Sequence, residues 1–83
     1  MKFKAEIDVM PLDELLDPQG KVVNSSLPKV GINGVMDVRI GKHIIMELEA
    51  PNEESAKQIT EQACKKLLAN MVIEKYSYQI QKL

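Results

Sequence analysis

Tryptophan is absent from this chain of 83 residues, and two tyrosines and one phenylalanine are its only aromatics. The core must therefore be aliphatic, built on Ile, Val, Leu, Met and Ala. A single cysteine, Cys64, excludes an internal disulfide. With one histidine, His43, a transition-metal site would need distant carboxylates as its remaining ligands. There is no signal-type apolar run and no stretch of about 20 apolar residues, so a cytoplasmic chain without a membrane partner is expected. Neither sign of charge prevails: 11 Lys and Arg stand against 12 Asp and Glu. Without a basic cluster to meet phosphates, nucleic acid is excluded as an expected partner.

What is present is an ordinary folding composition, 45% apolar and 28% charged. Residues 1–83 read as a single domain, with no repeat, low-complexity tract or linker. A domain this small buries only about 60 to 65% of the surface its unfolded chain exposes. A thin core without a disulfide commonly gains stability by oligomerisation, so self-association is the first expectation about partners.

Phe3, Ala5, Ile7 and Val9 alternate with Lys4, Glu6 and Asp8, the period of a half-buried strand. Met10 to Leu16 reads as a connection. Asp17 is placed to cap a helix beginning at Pro18, whose missing N–H costs nothing in a first turn. Gly31 suits a left-handed stop, while Pro28 and the weak formers Asn24, Ser25 and Ser26 predict a kinked or early-ending helix.

Two apolar rows follow, Met36-Val38-Ile40 and Ile44-Met46-Leu48-Ala50, on either side of Gly41. A hairpin that turns both rows toward one core needs a loop with an odd number of residues. Gly41-Lys42-His43 is preferred on loop length, although a five-residue loop would pair Arg39 with Glu47.

Asn52 caps a second helix with Glu53 and Glu54 in its first turn, where negative charge meets the helix dipole. Its apolar face is read as Ala56, Ile59, Ala63, Cys64, Leu67 and Leu68. Tyr76, Tyr78 and Ile80 then mark a last strand. The resulting order, strand, helix, strand, strand, helix, strand, is that of a ferredoxin-like α+β fold, βαββαβ, an antiparallel sheet with two helices on one face.

No catalytic constellation accompanies these elements. His43 reads as an exposed turn residue and Cys64 as core. Ser25 and Ser26 lack the strained turn of a hydrolase nucleophile. The acids are scattered, and Asp17 itself occupies the helix N–H groups that would otherwise hold an anion. RNA-recognition domains share the element order, but their stacking aromatics are missing here. Arg39, Gly41 and Lys42 at the expected hairpin tip are the best contact candidates.

Three blocks are specific together. Leu16-Asp17-Pro18-Gln19-Gly20-Lys21, Val38-Arg39-Ile40-Gly41-Lys42, and Ala63 to Asn70 followed by Val72-Ile73-Glu74 and Tyr76 resemble the PurS family, the small subunit of phosphoribosylformylglycinamidine synthase. The resemblance covers nearly the whole chain. It implies a non-catalytic subunit that forms homodimers or tetramers and bridges a glutaminase (PurQ) to an ATP-dependent synthetase (PurL) in purine biosynthesis. It also implies that this chain binds no cofactor and that ATP and Mg are used by the synthetase. Contact roles carried over within the blocks fall on Asp17, Gln19, Gly20, Arg39, Gly41 and Lys42. The chain departs from the family pattern at Met71, where a proline is usual, and around Pro28. A competing reading is a small-molecule-binding regulatory module of the same architecture, taking an amino acid or nucleotide at the loop before the first helix and at a dimer interface.

Overall fold

Phe3, Ala5, Ile7 and Val9 are all buried, and their strand, β1 (Lys2–Pro11), is the middle of a three-stranded antiparallel sheet in the computed structural model, which describes residues 1–83. β2 (Lys42–Glu49) and β3 (Glu74–Lys82) flank it in the order β2-β1-β3. The register sets Lys2 opposite Glu49 and Lys4 opposite Glu47, so unlike charges face each other across the polar side of the sheet. Asp8 lies opposite His43, whose Nδ1 is 2.7 Å from the carboxylate. His43 is exposed as expected, but it is a strand residue and not part of a turn.

The helix α2 (Glu53–Ala63) starts where expected, with the Asn52 side chain accepting the Ser55 N–H at 2.8 Å. Ala56, Thr60 and Cys64, spaced by four, are fully buried against the sheet, and the Thr60 hydroxyl donates to the Ala56 carbonyl at 2.9 Å. A π turn over Cys64–Leu68 follows, closed by the Ala69 N–H on the Cys64 carbonyl at 3.0 Å. The wider turn rotates Ala69 inward and Leu67 outward. Leu67, expected in the core, is 83% exposed, and Ile59 is 44% exposed. Small side chains at 56, 60 and 64 let the helix sit close to the sheet on a narrower stripe than an even 3.6-residue period predicts.

The helix α1 (Pro18–Ser26) ends early, as its sequence predicts, passing into a 3-10 turn over Leu27–Val30 that contains Pro28. Gly31 closes it at φ 84°, left-handed backbone that glycine adopts without strain.

The α+β class and the antiparallel sheet agree with the sequence reading, but two of its parts do not. The strand expected over Val35–Ile40 pairs with nothing, and the hairpin at Gly41-Lys42-His43 does not form. From Ile32 to Gly41 the chain runs without turn or bend and enters β2 directly. Residues 39 and 40 are bonded to the connection before α1, which holds the segment in line with β2. In consequence α1 lies beside that segment and does not cover the sheet alongside α2. The molecule is long and flat, 51 × 27 × 14 Å with a radius of gyration of 16.4 Å. A compact chain of this length has a radius of gyration of about 12 Å.

Candidate contact site

The first two of the three sequence blocks meet at Asp17. One carboxylate oxygen accepts the Gly20 N–H at 3.1 Å, the expected cap, while the other accepts the Ile40 N–H at 2.6 Å. These two backbone donors, Ile40 foremost, hold the Asp17 carboxyl below its usual range against an opposing effect of burial. Capping was legible in the sequence. The bond to Ile40 was not, since a residue 23 positions away leaves no local signal.

Arg39 completes the clasp from the other side. Its Nη1 donates to the Leu15 carbonyl at 3.1 Å, and its Nη2 to the carbonyls of Leu12 at 2.6 Å and Pro11 at 3.4 Å. The guanidinium fork thus satisfies carbonyls of a connection that has no ladder of its own. Gly20 is buried directly against the Val38 carbonyl, and Gly41 passes the Val9 carbonyl and the Met10 side chain, with no room for a Cβ at either place.

Of the six residues carried over as contacts, Asp17, Gly20, Arg39 and Gly41 therefore bind the chain to itself. Gln19 and Lys42 remain exposed beside them. Gln19 borders an apolar groove shared with Pro18, Val22, Val23 and Ile40. A neighbouring groove runs from Pro11 and Leu15 to Ile73.

Three titratable groups, one at the end of α2 and two on β3, are shifted by their surroundings. Burial pushes the Cys64 thiol up, away from the thiolate needed for nucleophilic attack. The Tyr76 hydroxyl donates to the Glu61 carboxylate, and that bond pushes the phenol up to about 12. Burial also raises Tyr78, which stacks on Tyr76 with ring centres 6.4 Å apart. Asp8 stands between His43 and Ser77 across the three strands, so their Cα atoms are about 10 Å apart, and the imidazole nitrogen turned toward Ser77's side of the sheet is engaged by the Asp8 carboxylate.

The fold defines a small α+β protein of ferredoxin-like order whose paired sequence blocks serve to fix its loops. Residues 4–82 match the family model PurS: Phosphoribosylformylglycinamidine (FGAM) synthase, and the chain belongs to that family. It is 49% identical to phosphoribosylformylglycinamidine synthase subunit PurS of Synechocystis over 94% of this chain and 78% of that relative. Its fold superposes on a chain of the PurLQS structure from Thermotoga maritima with a TM-score of 0.90 at 36% identity, covering 98% of this chain and 99% of the other. Bacillus subtilis PurS matches with a TM-score of 0.86 at 36% identity, covering 96% of this chain and 99% of that one.

Proposed function

We propose that this chain is a non-catalytic subunit of phosphoribosylformylglycinamidine synthase. It docks a glutaminase subunit to an ATP-dependent synthetase subunit so that ammonia passes between them in purine biosynthesis. The observation that carries the reading is the likeness over nearly the full length to a chain from a structure named for PurL, PurQ and PurS together. ATP and Mg serve the synthetase, and this chain acts by position alone. Free ammonia is mostly protonated at neutral pH and so a poor nucleophile, which makes a protected handover useful without chemistry from the bridging subunit. The chain acts as one domain and self-associates as a homodimer or tetramer. Gln19 and Lys42 contribute contacts, while Asp17, Gly20, Arg39 and Gly41 set the backbone that presents them.

The test compares glutamine-driven with ammonia-driven turnover of the two large subunits with and without this chain. Loss confined to the glutamine-driven reaction supports docking, and equal loss in both overturns it. Within that assay, Gln19→Ala and Lys42→Ala are expected to weaken assembly, read as a rise in the concentration of this chain needed for half-maximal activity.

A further inference from the structure

β3 closes the sheet on the side away from β2, and no strand of its own chain lies beside its outer edge. Edge strands are commonly blunted by a proline, a bulge, a central lysine or a short length. β3 has none of these. It runs nine residues, Glu74–Lys82, and its register with β1 is unbroken from Pro11 opposite Glu74 to Phe3 opposite Lys82. Its charges stand only at the ends, Glu74 and Lys75 at one and Lys82 at the other, and Tyr76 to Gln81 between them carry none.

The sequence of this edge is complementary to itself. When it is set antiparallel to a second copy with the two Tyr78 residues opposite each other, Tyr76 meets Ile80, Ser77 meets Gln79 and Lys75 meets Gln81. Glu74 then meets Lys82 at both ends, an opposite-charge pair in each place. Every pair also keeps its face: Tyr76, Tyr78 and Ile80 are half-buried on the α2 side, while Lys75, Ser77, Gln79 and Gln81 are exposed on the polar side. A slip of one residue sets apolar faces against polar ones. A slip of two restores the faces but puts Glu74 opposite Ile80 or Lys82 opposite Tyr76, and both ion pairs are lost. The aromatic centre is already ordered, because the Glu61 carboxylate of α2 holds the Tyr76 hydroxyl and the Tyr76 ring stacks on Tyr78. Pairing there immobilises little that is free.

We propose that the outer edge of β3 is a self-association surface, at which two copies pair β3 to β3 about a two-fold axis through Tyr78 and join their sheets edge to edge with both α2 helices on one face. The second copy is the occupant because opposite charges meet at both ends in the one register that also centres the aromatic pair. The proposal rests on the self-association proposed above, and its test separates the two.

The double variant Lys75→Cys/Gln81→Cys places thiols opposite each other on the polar face in this register, and Lys75→Cys/Gln79→Cys does so in a register slipped by two. Within one chain, positions 75 and 81 are about 20 Å apart along the strand and cannot bridge. Cys64 is fully buried and stays as it is in every variant. Mild oxidation is expected to convert most of the first variant to a covalent dimer on a non-reducing gel, while the second and each single variant stay monomeric there. Adding Glu74→Lys to the first variant is expected to slow bridging several-fold, and adding Lys82→Glu as well to restore it. Circular dichroism confirms that the variants fold, and light scattering gives the mass of the unmodified chain. An oligomer by light scattering with no bridge in the first variant overturns the pairing of β3 but leaves self-association standing. Equal bridging in the slipped variant overturns the register, and a monomer by light scattering at every concentration overturns both proposals.

Discussion

The carboxylate of Asp17 ties Ile40, 23 residues later, to the start of α1: one oxygen takes the Ile40 N–H at 2.6 Å while the other caps Gly20 at 3.1 Å. The bond to Ile40 joins the first sequence block to the second. Because both donors stabilise the charged form, the Asp17 pKa is depressed in the folded chain. Its contribution to stability is then fully present above the unfolded aspartate value of about 4 and is lost as pH falls through the lower folded value. Asp17→Asn is expected to lower the melting temperature at neutral pH and to flatten its decline as pH falls below about 4. Thermal melts followed by circular dichroism across that range check it, and an unchanged acid limb would show that the clasp does not depend on charge.

At Gly20, α1 lies directly against the backbone of the unpaired segment. A Cβ there would overlap the Val38 carbonyl oxygen, which as backbone cannot swing aside as a flexible side chain would. Gly20→Ala is expected to destabilise by about 1 to 3 kcal/mol, as overpacked sites do, even though alanine is the better helix former. Urea unfolding measures it. An increase in stability would mean that α1 and residues 38–40 separate at little cost.

Leu67 points into solvent at the π turn, whereas Cys64 one turn earlier is fully buried. Leu67→Asp is therefore expected to change the stability of the isolated chain by no more than about 0.5 kcal/mol. Cys64→Asp would bury an unpaired carboxylate and is expected to abolish cooperative unfolding. Circular dichroism of the two variants separates them, and an unfolded Leu67→Asp would restore the regular helical face.

The contrast between Leu67 and Asp17 shows where the sequence can be read and where it cannot. Caps, the alternation of β1 and the early end of α1 at Pro28 depend on chemistry within a few residues, and each stands in the structure as expected. A π turn inserts one residue into a helix for the sake of packing against β1 and β3, and helical periodicity carries no trace of it. The alternation at Val35–Ile40 is that of a half-buried strand, yet the segment pairs with no strand of its own chain and Met36 is 93% exposed, so the hairpin inferred from it failed at Gly41. Within the candidate site, the sequence pointed to contacts with partners, and the bonds by which Asp17 and Arg39 hold the chain to itself were not legible in it. The groups that Arg39 and Ile40 meet lie more than twenty positions away.

The bond from Tyr76 to Glu61 stabilises the protonated phenol, which is pushed up to about 12. A raised folded value means that this contribution is complete below the unfolded tyrosine value of about 10 and is lost as pH rises toward 12. Glu61→Gln removes the negative charge and is expected to bring the Tyr76 titration back toward 10, read as phenolate absorbance rising at lower pH. Tyr76→Phe identifies which of the two phenols moved. A Glu61→Gln titration curve that overlays the parent would mean that burial alone sets the shift.

Arg39 holds three carbonyls of the connection before α1 with one planar group, and that geometry decides what may replace it. Lysine keeps the charge but delivers it from a single nitrogen, so it cannot span Leu12 and Leu15 together. Hydrogen bonds from a charged donor are worth about 1.5 to 3 kcal/mol each where the partner is withdrawn from water, and the partly buried Leu12 bond at 2.6 Å is the strongest candidate. Arg39→Lys is expected to cost about 1 to 2 kcal/mol and Arg39→Ala more, both visible in urea unfolding. The clasp also sets the line of residues 33–41, so loosening residues 11–16 should be felt along the unpaired segment. Hydrogen exchange is expected to quicken at the Ile40 amide in Arg39→Ala, although Asp17 still accepts its bond. Exchange that quickens only between residues 11 and 16 would show that Arg39 orders its own loop and leaves the line of the strand to Asp17.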